Sequence, residues 1–342
     1  MSLDPRATNR KLSGLWNDPD VKVLKTKNKK YALFSDLHLG DGGDADDFHG
    51  NEKAMRAALK KYYDDNYSLI FLGDIEEFWQ FDYDSIVKQY NNSVYSDIRK
   101  FGNTRLFRVY GNHDMEWRGF IDPTKNNGKP SSSALEALKM EDVDGNVKLL
   151  LVHGHQGSLE SDKNSWSSRF FVRAFRKVEP IAKFFGLYGE GSATKSQIPD
   201  DYEKVFYRWA KRNKTIIICG HSHRAIFASK SYADKLQDDI YEIQLKIQKE
   251  NSESKIKSYL REIESLNEKL AEEKMKGRKI DPTETSSVPK PCYFNTGCGL
   301  YTDGITSIEI DSDNIRLVKW NNRGKKVEFD KGEISKLVVT GS

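Results

Sequence analysis

The sequence lacks an apolar run near the length of about 20 residues that a membrane-crossing helix needs, and its polar, basic start lacks the apolar core of a secretory signal. Cysteine is scarce as well. The three cysteines, Cys219, Cys292 and Cys298, are odd in number and follow no disulfide-framework spacing. These absences predict a cytoplasmic protein that is neither exported nor membrane-spanning, because the cytosol keeps thiols reduced.

A large excess of charge of one sign is also lacking. The chain has 55 basic and 51 acidic residues, which gives a net charge of +4. This excess gives no strong signal for a nucleic-acid partner, because phosphate recognition depends on concentrated positive charge. The length of 342 residues allows one large domain or two small ones, with a sizeable core.

Apolar runs alternate with helical segments in the first two thirds of the chain. The runs that predict strands lie at residues 31–34, 68–72, 106–110, 149–152 and 215–219. Residues 52–63 predict a helix. Later runs at 293–296, 305–310 and 315–320 are separated only by short turns, which favours an antiparallel edge on a mixed sheet. The expected fold class is α/β or α+β with two packed sheets.

Five short polar motifs each follow one of the early strand-like runs. They are Ser35-Asp36-Leu37-His38, Gly73-Asp74, Gly111-Asn112-His113-Asp114, His153-Gly154-His155 and Gly220-His221-Ser222-His223. Together they offer metal-ligand atoms from Asp36, His38, Asp74, Asn112, His153, His221 and His223. One Gly-Asp pair is common in turns, but five such motifs in this order are not expected by chance.

The types of donor predict which metal binds. Residues i and i+2 of an extended segment point to the same side, so Asp36 and His38 can contact one ion, and His221 and His223 repeat the arrangement. Asp74 can bridge two ions through its two carboxylate oxygens. Imidazole, carboxylate and amide ligands together suit Mn²⁺, Fe²⁺ or Zn²⁺ better than Ca²⁺. We therefore expect two divalent ions, with Mn²⁺ as the first choice.

Two ions roughly 3.5–4 Å apart favour phosphoryl chemistry, because they polarise phosphate oxygens and provide a metal-bound hydroxide that attacks phosphorus. His113 is the candidate acid at the leaving oxygen. Asp114, the next residue, is the candidate partner that orients and charges the imidazole of His113. His49 is expected to be a surface residue, and no role is favoured for His155.

A segment rich in aromatic and basic residues, 156–214, separates two of these motifs. Its apolar residues recur at helical spacing, and Arg173 and Arg176 fall on the opposite side of the helix. One interpretation is a helical layer packed on the core. The other is a cap over the site, or a surface that docks on anionic lipid at the inner face of a membrane, with Arg173 and Arg176 as candidate substrate contacts.

A second segment, 231–279, carries heptad-spaced apolar residues. The spacing of Leu236, Ile240, Ile243 and Ile247 resumes out of phase after residues 251–254, which predicts an antiparallel helical hairpin. The hairpin is either a site of self-association or a solvated projection. The resulting division gives an N-terminal arm at 1–30, a main domain at 31–230 that contains the insertion, the hairpin, and returning strands at 280–342.

The motifs resemble those of the calcineurin-like metallophosphoesterase superfamily, across roughly residues 31–310. The resemblance implies a four-layer sandwich of two mixed β-sheets flanked by helices. It also implies one ion held by Asp36, His38, Asp74 and His223, and a second held by Asp74, Asn112, His153 and His221. His113 would be the catalytic histidine.

The run Gly73-Asp74-Ile75-Glu76-Glu77-Phe78-Trp79 and the position of the aromatic, basic insertion are most similar to the UDP-2,3-diacylglucosamine pyrophosphohydrolase branch. Two positions depart from that branch, which usually has arginine where His113 stands and aspartate where His155 stands. The sequence thus predicts a two-metal phosphoesterase acting on a phosphorylated small molecule or a lipid-linked substrate. The alternatives are a nuclease or cyclic-nucleotide phosphodiesterase on the same centre, and a non-catalytic scaffold that uses the hairpin.

Overall fold

A computed structural model describes residues 4–115, 135–157, 200–228, 230–231, 252–275 and 292–337, with scattered residues between 236 and 250. The helices in these parts of the chain are α1 (Pro5–Asn17), α2 (Glu52–Asp64), α3 (Tyr83–Tyr90), α4 (Val94–Arg99), α5 (Asp200–Asn213), α6 (Glu253–Met275) and α7 (Ile334–Leu337). The strands are β1 (Val23–Lys25), β2 (Lys30–Phe34), β3 (Ser68–Leu72), β4 (Leu106–Val109), β5 (Ala137–Glu141), β6 (Val147–Val152), β7 (Ile216–Cys219), β8 (Ala225–Phe227), β9 (Lys230–Ser231), β10 (Tyr293–Thr296), β11 (Gly304–Asp311), β12 (Asn314–Asn321) and β13 (Lys326–Glu333).

The strands form two mixed sheets. The first has the order β13-β12-β11-β2-β3-β4, in which β2, β3 and β4 are parallel and β11 to β13 form an antiparallel edge. The second has the order β1-β5-β6-β7-β10-β8-β9, with β6, β7 and β10 parallel at its centre. The predicted antiparallel edge is confirmed for the runs at 305–310 and 315–320, whereas the run at 293–296 was placed wrongly, since it forms β10 in the other sheet, parallel to β7.

Three apolar cores define four layers. The two sheets face each other across a core that includes Leu33, Ile70, Leu149 and Ile218. A second core packs α2, α3 and α4 on the outer face of the six-stranded sheet. A third packs α1 and α5 on the outer face of the seven-stranded sheet. The predicted mixed α/β fold, with two mixed sheets flanked by helices, is confirmed.

The N-terminal helix α1 is held against the seven-stranded sheet. Asp4 caps its first turn, accepting a hydrogen bond from the Arg6 backbone N–H at 2.8 Å, and Pro5 fits the first helical position. Leu12 and Leu15 bury their side chains in the third core. The arm expected at residues 1–30 is therefore a packed helix followed by the edge strand β1.

The long helix α6 carries a small apolar cluster of its own. Leu270 on α6 packs with Leu236 and Ile240, and Ile263 and Leu266 lie against them. This contact between the two halves of the 231–279 segment is what the predicted hairpin requires, although the domain limits stay a prediction.

None of the described helices combines the length and the apolar character needed to cross a membrane.

Candidate metal centre

The five motifs meet at the carboxyl ends of strands from both sheets. β2, β3 and β4 lead into the motifs of Asp36, Asp74 and Asn112, while β6 and β7 lead into those of His153 and His221. The parallel strands of each sheet point their carboxyl ends to one edge, so the loops converge there. The site is built across the two sheets rather than on one of them.

The backbone turns sharply at most of these residues. Five of them adopt positive φ angles, a region that is uncommon for residues other than glycine: Asp36 (+52°), His38 (+53°), Asp74 (+53°), His221 (+68°) and His223 (+56°). The prediction that Asp36 and His38 lie in extended backbone was therefore wrong. Left-handed turns, rather than strand alternation, bring the two side chains to the same place.

One group of ligand atoms comes from Asp36, His38 and His223, whose donor atoms lie within 4.8 Å of one another. The Nε2 atoms of the two histidines are 3.2 Å apart, and the His223 Nε2 is 3.2 Å from the Asp36 Oδ1. Asp36 has no exposed surface. Both of its oxygens accept a hydrogen bond from the His221 backbone N–H, at 3.1 and 2.8 Å, which fixes the carboxylate.

A second group consists of Asp74, His153 and His221, all buried, with donor atoms within the same limit. The His153 Nε2 lies 3.0 Å from the Asp74 Oδ2 and 3.2 Å from the Asn112 Oδ1. Burial alone would raise the pKa of Asp74, but the positive charge of His153 and His113 holds it well below its usual range.

Neighbouring groups set which nitrogen of each ring faces the site. The His153 Nδ1 lies 2.8 Å from the Leu72 carbonyl oxygen, and the His38 Nδ1 lies 2.8 Å from the Glu77 Oε2. With Nδ1 donating a hydrogen, Nε2 is the atom of each ring that faces the clustered ligands, and it can offer its lone pair to a metal ion that replaces its proton. Together with the mixed donor set, this orientation fits a divalent transition metal.

Gly73 makes this packing achievable. It adopts φ +88°, and a Cβ atom there would lie 2.5 Å from the His153 Nδ1. Any side chain would displace His153 from Asp74, so the Gly-Asp motif needs its glycine for close approach as well as for conformation.

His113 lies beside the clusters, and its ring is held from two sides. Its Nδ1 contacts the Glu77 carboxylate, at 2.8 Å from Oε1 and 2.7 Å from Oε2. The Trp79 ring stacks on it, with centroids 4.0 Å apart and an angle of 23° between the planes. Burial would lower the pKa of His113, but the charges of Glu77 and Asp74 outweigh it and raise the pKa to about 9. The contact with Glu77 therefore favours the protonated form of the ring.

Asp114 does not orient His113, contrary to the prediction from sequence. Its Oδ1 accepts the Gly111 backbone N–H at 2.6 Å, and its Oδ2 accepts the Ile75 backbone N–H at 2.9 Å. Burial, and then the charge of Asp74, raises the pKa of this carboxyl. Asp114 thus fixes the loop that carries Asn112, and sequence reasoning missed Glu77 as the acidic partner of His113.

Some of the other residues singled out in the sequence lie in the parts of the chain that the structure describes, and others do not. His49 is exposed, as expected, and Cys219 is buried in a strand. His155 is buried, its ring 5.5 Å from that of His153, and burial lowers its pKa to about 3. Arg173 and Arg176, with most of the 156–214 insertion, lie outside the described residues.

Comparison with known proteins agrees with this geometry. The family model described as calcineurin-like phosphoesterase matches residues 29–225, more than half of the chain. A search of curated proteins gave no significant match. A crystal structure of an uncharacterised, predicted phosphoesterase from Streptococcus pneumoniae TIGR4 aligns over 88% of this chain and 97% of its own, with 10% identity and a TM-score of 0.31. A score this low carries no argument about the site.

Proposed function

The chain belongs to the calcineurin-like phosphoesterase family, and from this premise we propose that it is a two-metal enzyme that hydrolyses a phosphate ester or pyrophosphate bond. The observation that carries the proposal is the pair of ligand clusters, Asp36-His38-His223 and Asp74-His153-His221, with His113 and its partner Glu77 beside them. A family domain of this kind is a metal-dependent hydrolase, and this chain has all seven of the candidate metal ligands that its motifs predict.

Asp36, His38 and His223 would hold one ion, and His153, His221 and Asn112 the other, with Asp74 between them. Ions bound there supply Lewis acidity, which polarises phosphate oxygens and lowers the pKa of a water molecule. Mn²⁺ is the ion that we propose first, with Fe²⁺ or Zn²⁺ as alternatives, since imidazole and carboxylate ligands suit all three.

His113 would serve the leaving group. Its Nδ1 is engaged by Glu77, so Nε2–H is the donor that remains for the substrate. An imidazolium held in this way can protonate the departing oxygen or stabilise the charge that develops on the phosphate. Trp79 and Glu77 hold the ring in one orientation, so the Nε2 proton is pre-organised for transfer to the leaving group.

For the substrate, we propose a molecule in which a phosphate is linked to a larger group, with a UDP-sugar lipid as the first candidate. Support comes from the Gly73–Trp79 run, since Glu77 and Trp79 both lie at the site. Contact with a membrane surface, and self-association through the 231–279 segment, are further proposals that follow from the sequence patterns.

The test is a hydrolysis panel with controlled metal content. Protein stripped with a chelator and refilled with Mn²⁺, Fe²⁺ or Zn²⁺ would be offered p-nitrophenyl phosphate, bis-p-nitrophenyl phosphate and a UDP-sugar lipid. Activity that vanishes on stripping and returns with metal is expected. Full activity in the stripped protein, or none with any metal on any of the three substrates, would overturn the proposal.

A further inference from the structure

A cavity of about 440 Å³ lies beside the candidate metal centre, between α1 and the loop that follows β6. Its lining includes Arg10 and Lys11 from α1, and His155 and Gln156 from the loop. The backbone of Gly157 lies so close to α1 that a Cβ atom there would be 2.5 Å from the Thr8 nitrogen. The helix is thus fixed against the loop, and the cavity between them is a built feature of the fold.

Gln156 lines this cavity and carries a buried hydrogen-bond donor. The side chain is 2% exposed, and its Oε1 accepts the Gly154 backbone N–H at 3.0 Å. Its Nε2 is buried and has no hydrogen-bond partner among the described residues. A buried amide N–H₂ without a partner is costly, so a ligand acceptor at this position would satisfy an unmet donor.

The charges around the cavity favour an anion. Lys11 forms an ion pair with Glu136, with 2.9 Å between Nζ and Oε1. Arg10 has no ion-pair partner within the parts of the chain that the structure describes. The cavity therefore has one uncompensated guanidinium, the side chain best suited to bind phosphate with two parallel hydrogen bonds.

The position relative to the metal ligands links the cavity to the substrate. The ring of His155, which lines it, lies 5.5 Å from the ring of the ligand His153. Tyr110 lines it too and stands two residues before Asn112. A molecule that reaches from the metals into the cavity would pass close to His155. Arg10 lies outside residues 29–225, the part of the chain that the family model matches.

We infer that the cavity formed by Arg10, Gln156 and His155 binds a second anionic phosphate of the substrate, beyond the bond that is cleaved. This inference rests on the proposed function and specifies its substrate class. The substrate carries two phosphoryl groups, and the one that is not attacked at the metals is bound by Arg10 and the Gln156 amide. That second phosphate comes either from a diphosphate linkage or from a separate phosphate on the same sugar.

The kinetic test compares selectivity among three substrates: p-nitrophenyl phosphate, UDP-N-acetylglucosamine and adenosine 3′,5′-bisphosphate. For Arg10→Gln, kcat/KM for the preferred two-phosphate substrate is expected to fall roughly tenfold or more relative to the monoester, mainly through KM, because a charged hydrogen bond is lost. If kcat/KM falls more for UDP-N-acetylglucosamine, the second phosphate comes from a diphosphate linkage. If it falls more for adenosine 3′,5′-bisphosphate, it comes from a separate phosphate on the sugar. The matched control is Arg6→Gln, which removes the same charge from an exposed position on α1 that does not line the cavity.

A second variant tests the buried donor. Gln156→Glu keeps an oxygen that can accept the Gly154 N–H but removes the amide hydrogens. It should also lower the selectivity ratio, which is kcat/KM for the two-phosphate substrate divided by kcat/KM for the monoester. Its melting temperature, measured alongside, shows whether the fold is retained. If Arg10→Gln and Arg6→Gln change the ratio equally, the cavity is a packing feature and the inference is wrong.

Binding without metal separates this inference from the proposed function. Titration calorimetry of chelator-stripped protein with adenosine 3′,5′-bisphosphate should give roughly tenfold weaker affinity for Arg10→Gln than for the unmodified chain and for Arg6→Gln. Such a result supports the cavity even if no hydrolysis is found. If the protein hydrolyses the substrates but Arg10→Gln binds adenosine 3′,5′-bisphosphate as tightly as the unmodified chain, the proposed phosphoesterase activity stands and the second phosphate site is wrong.

Discussion

Glu76 and Glu77 are adjacent in the chain but serve different parts of the protein. The Glu76 carboxylate is buried against Arg108, with 3.1 Å between Oε2 and Nη1, and supports the core. The Glu77 carboxylate faces the site, where it contacts the Nδ1 atoms of His38 and His113. A single side chain thus orients a metal ligand and the candidate acid together.

Exchanging each glutamate for glutamine should separate these roles. Glu77→Gln should lower turnover by about 10–100-fold, the usual cost of losing a partner of a metal-binding histidine, with little change in the free energy of unfolding. Glu76→Gln should mainly destabilise the protein, because it leaves the Arg108 charge buried without its counterion. Paired measurements of kcat and of denaturant unfolding check this, and equal losses of turnover in both variants would contradict it.

His113 itself offers a sharper test, because it lies outside the Asp36-His38-His223 and Asp74-His153-His221 clusters and contacts Glu77 instead. His113→Ala should retain its metals by elemental analysis but lose about 10²–10⁴ in turnover on esters with poor leaving groups. Activated nitrophenyl esters should lose less, since their leaving groups need little protonation. An equal loss on both kinds of ester would argue that the ring acts on the phosphate and not on the leaving oxygen.

Trp79 stacks on the ring of His113, and this contact helps to fix the orientation of that ring in the site. The indole covers one face of His113 while Glu77 holds one edge. A stacked indole also favours a cationic ring electrostatically. The aromatic residue after the Gly-Asp motif therefore belongs to the candidate site and not only to the core beneath it.

Among the elements, α6 and the residues that pack on it lie outside the apolar cores that hold the two sheets. Their cluster of Leu236, Ile240 and Leu270 is separate from the three cores that hold the sheets. Leu260 on α6 is 53% exposed. The segment therefore contributes little to the stability of the two-sheet fold.

Replacing residues 232–291 with a flexible Gly/Ser linker should leave hydrolysis unchanged and the melting temperature within a few degrees, because no described site residue comes from that segment. Light scattering on both proteins would show whether the segment mediates self-association. Leu260→Glu in the full chain serves as the matched control, since it alters the exposed apolar surface alone. Loss of folding in the shortened protein would show that the hairpin supports the core.

The strands that carry the motifs were predictable, and those that flank them were less so. β2, β3, β6 and β7 are continuous apolar runs because both of their faces are buried. β5 contains Lys139, which is buried because its Nζ donates to the Asp18 carbonyl at 2.7 Å, and no local pattern signals that distant partner. β13 has only two apolar residues, Val327 and Phe329, among five charged ones, so its apolar face at the sheet edge is weak in the sequence.

The same distinction applies to the site. The ligands were predictable because each motif follows a recognisable strand and the donor types are specific. The partner of His113 was not, since Glu76 and Glu77 are chemically identical and only the three-dimensional turn after β3 decides which one faces the metals. The left-handed turns at Asp36 and Asp74 were likewise not predicted, since aspartate tolerates that conformation but adopts it at only a minority of positions.

The two sheets meet at the ligands, and metal binding should therefore stabilise the entire fold. In each cluster, ligands from the six-stranded sheet, Asp36 and Asp74, face ligands from the seven-stranded sheet, His223 and His153. An ion held by both sides links the sheets directly. Because the unfolded chain offers no such site, the binding free energy adds to the stability of the folded state.

Adding Mn²⁺ to chelator-stripped protein at roughly 100 times its dissociation constant should stabilise it by about 2.7 kcal/mol per site and raise the melting temperature by roughly 5–10 °C. Asp74→Asn should lose most of that increase, because Asp74 is the carboxylate of the second cluster and is proposed to contact both ions. Asp142→Asn is the matched control. It alters a buried carboxyl that lies outside both clusters and accepts the Asp144 and Asn146 backbone N–H groups, so it should lower the starting melting temperature but keep the Mn²⁺-induced increase. Calcium should give a smaller increase than Mn²⁺, since histidine nitrogens suit it poorly. An increase of equal size in Asp74→Asn and in the unmodified protein would mean that the metal stabilises the fold from a site other than the one described.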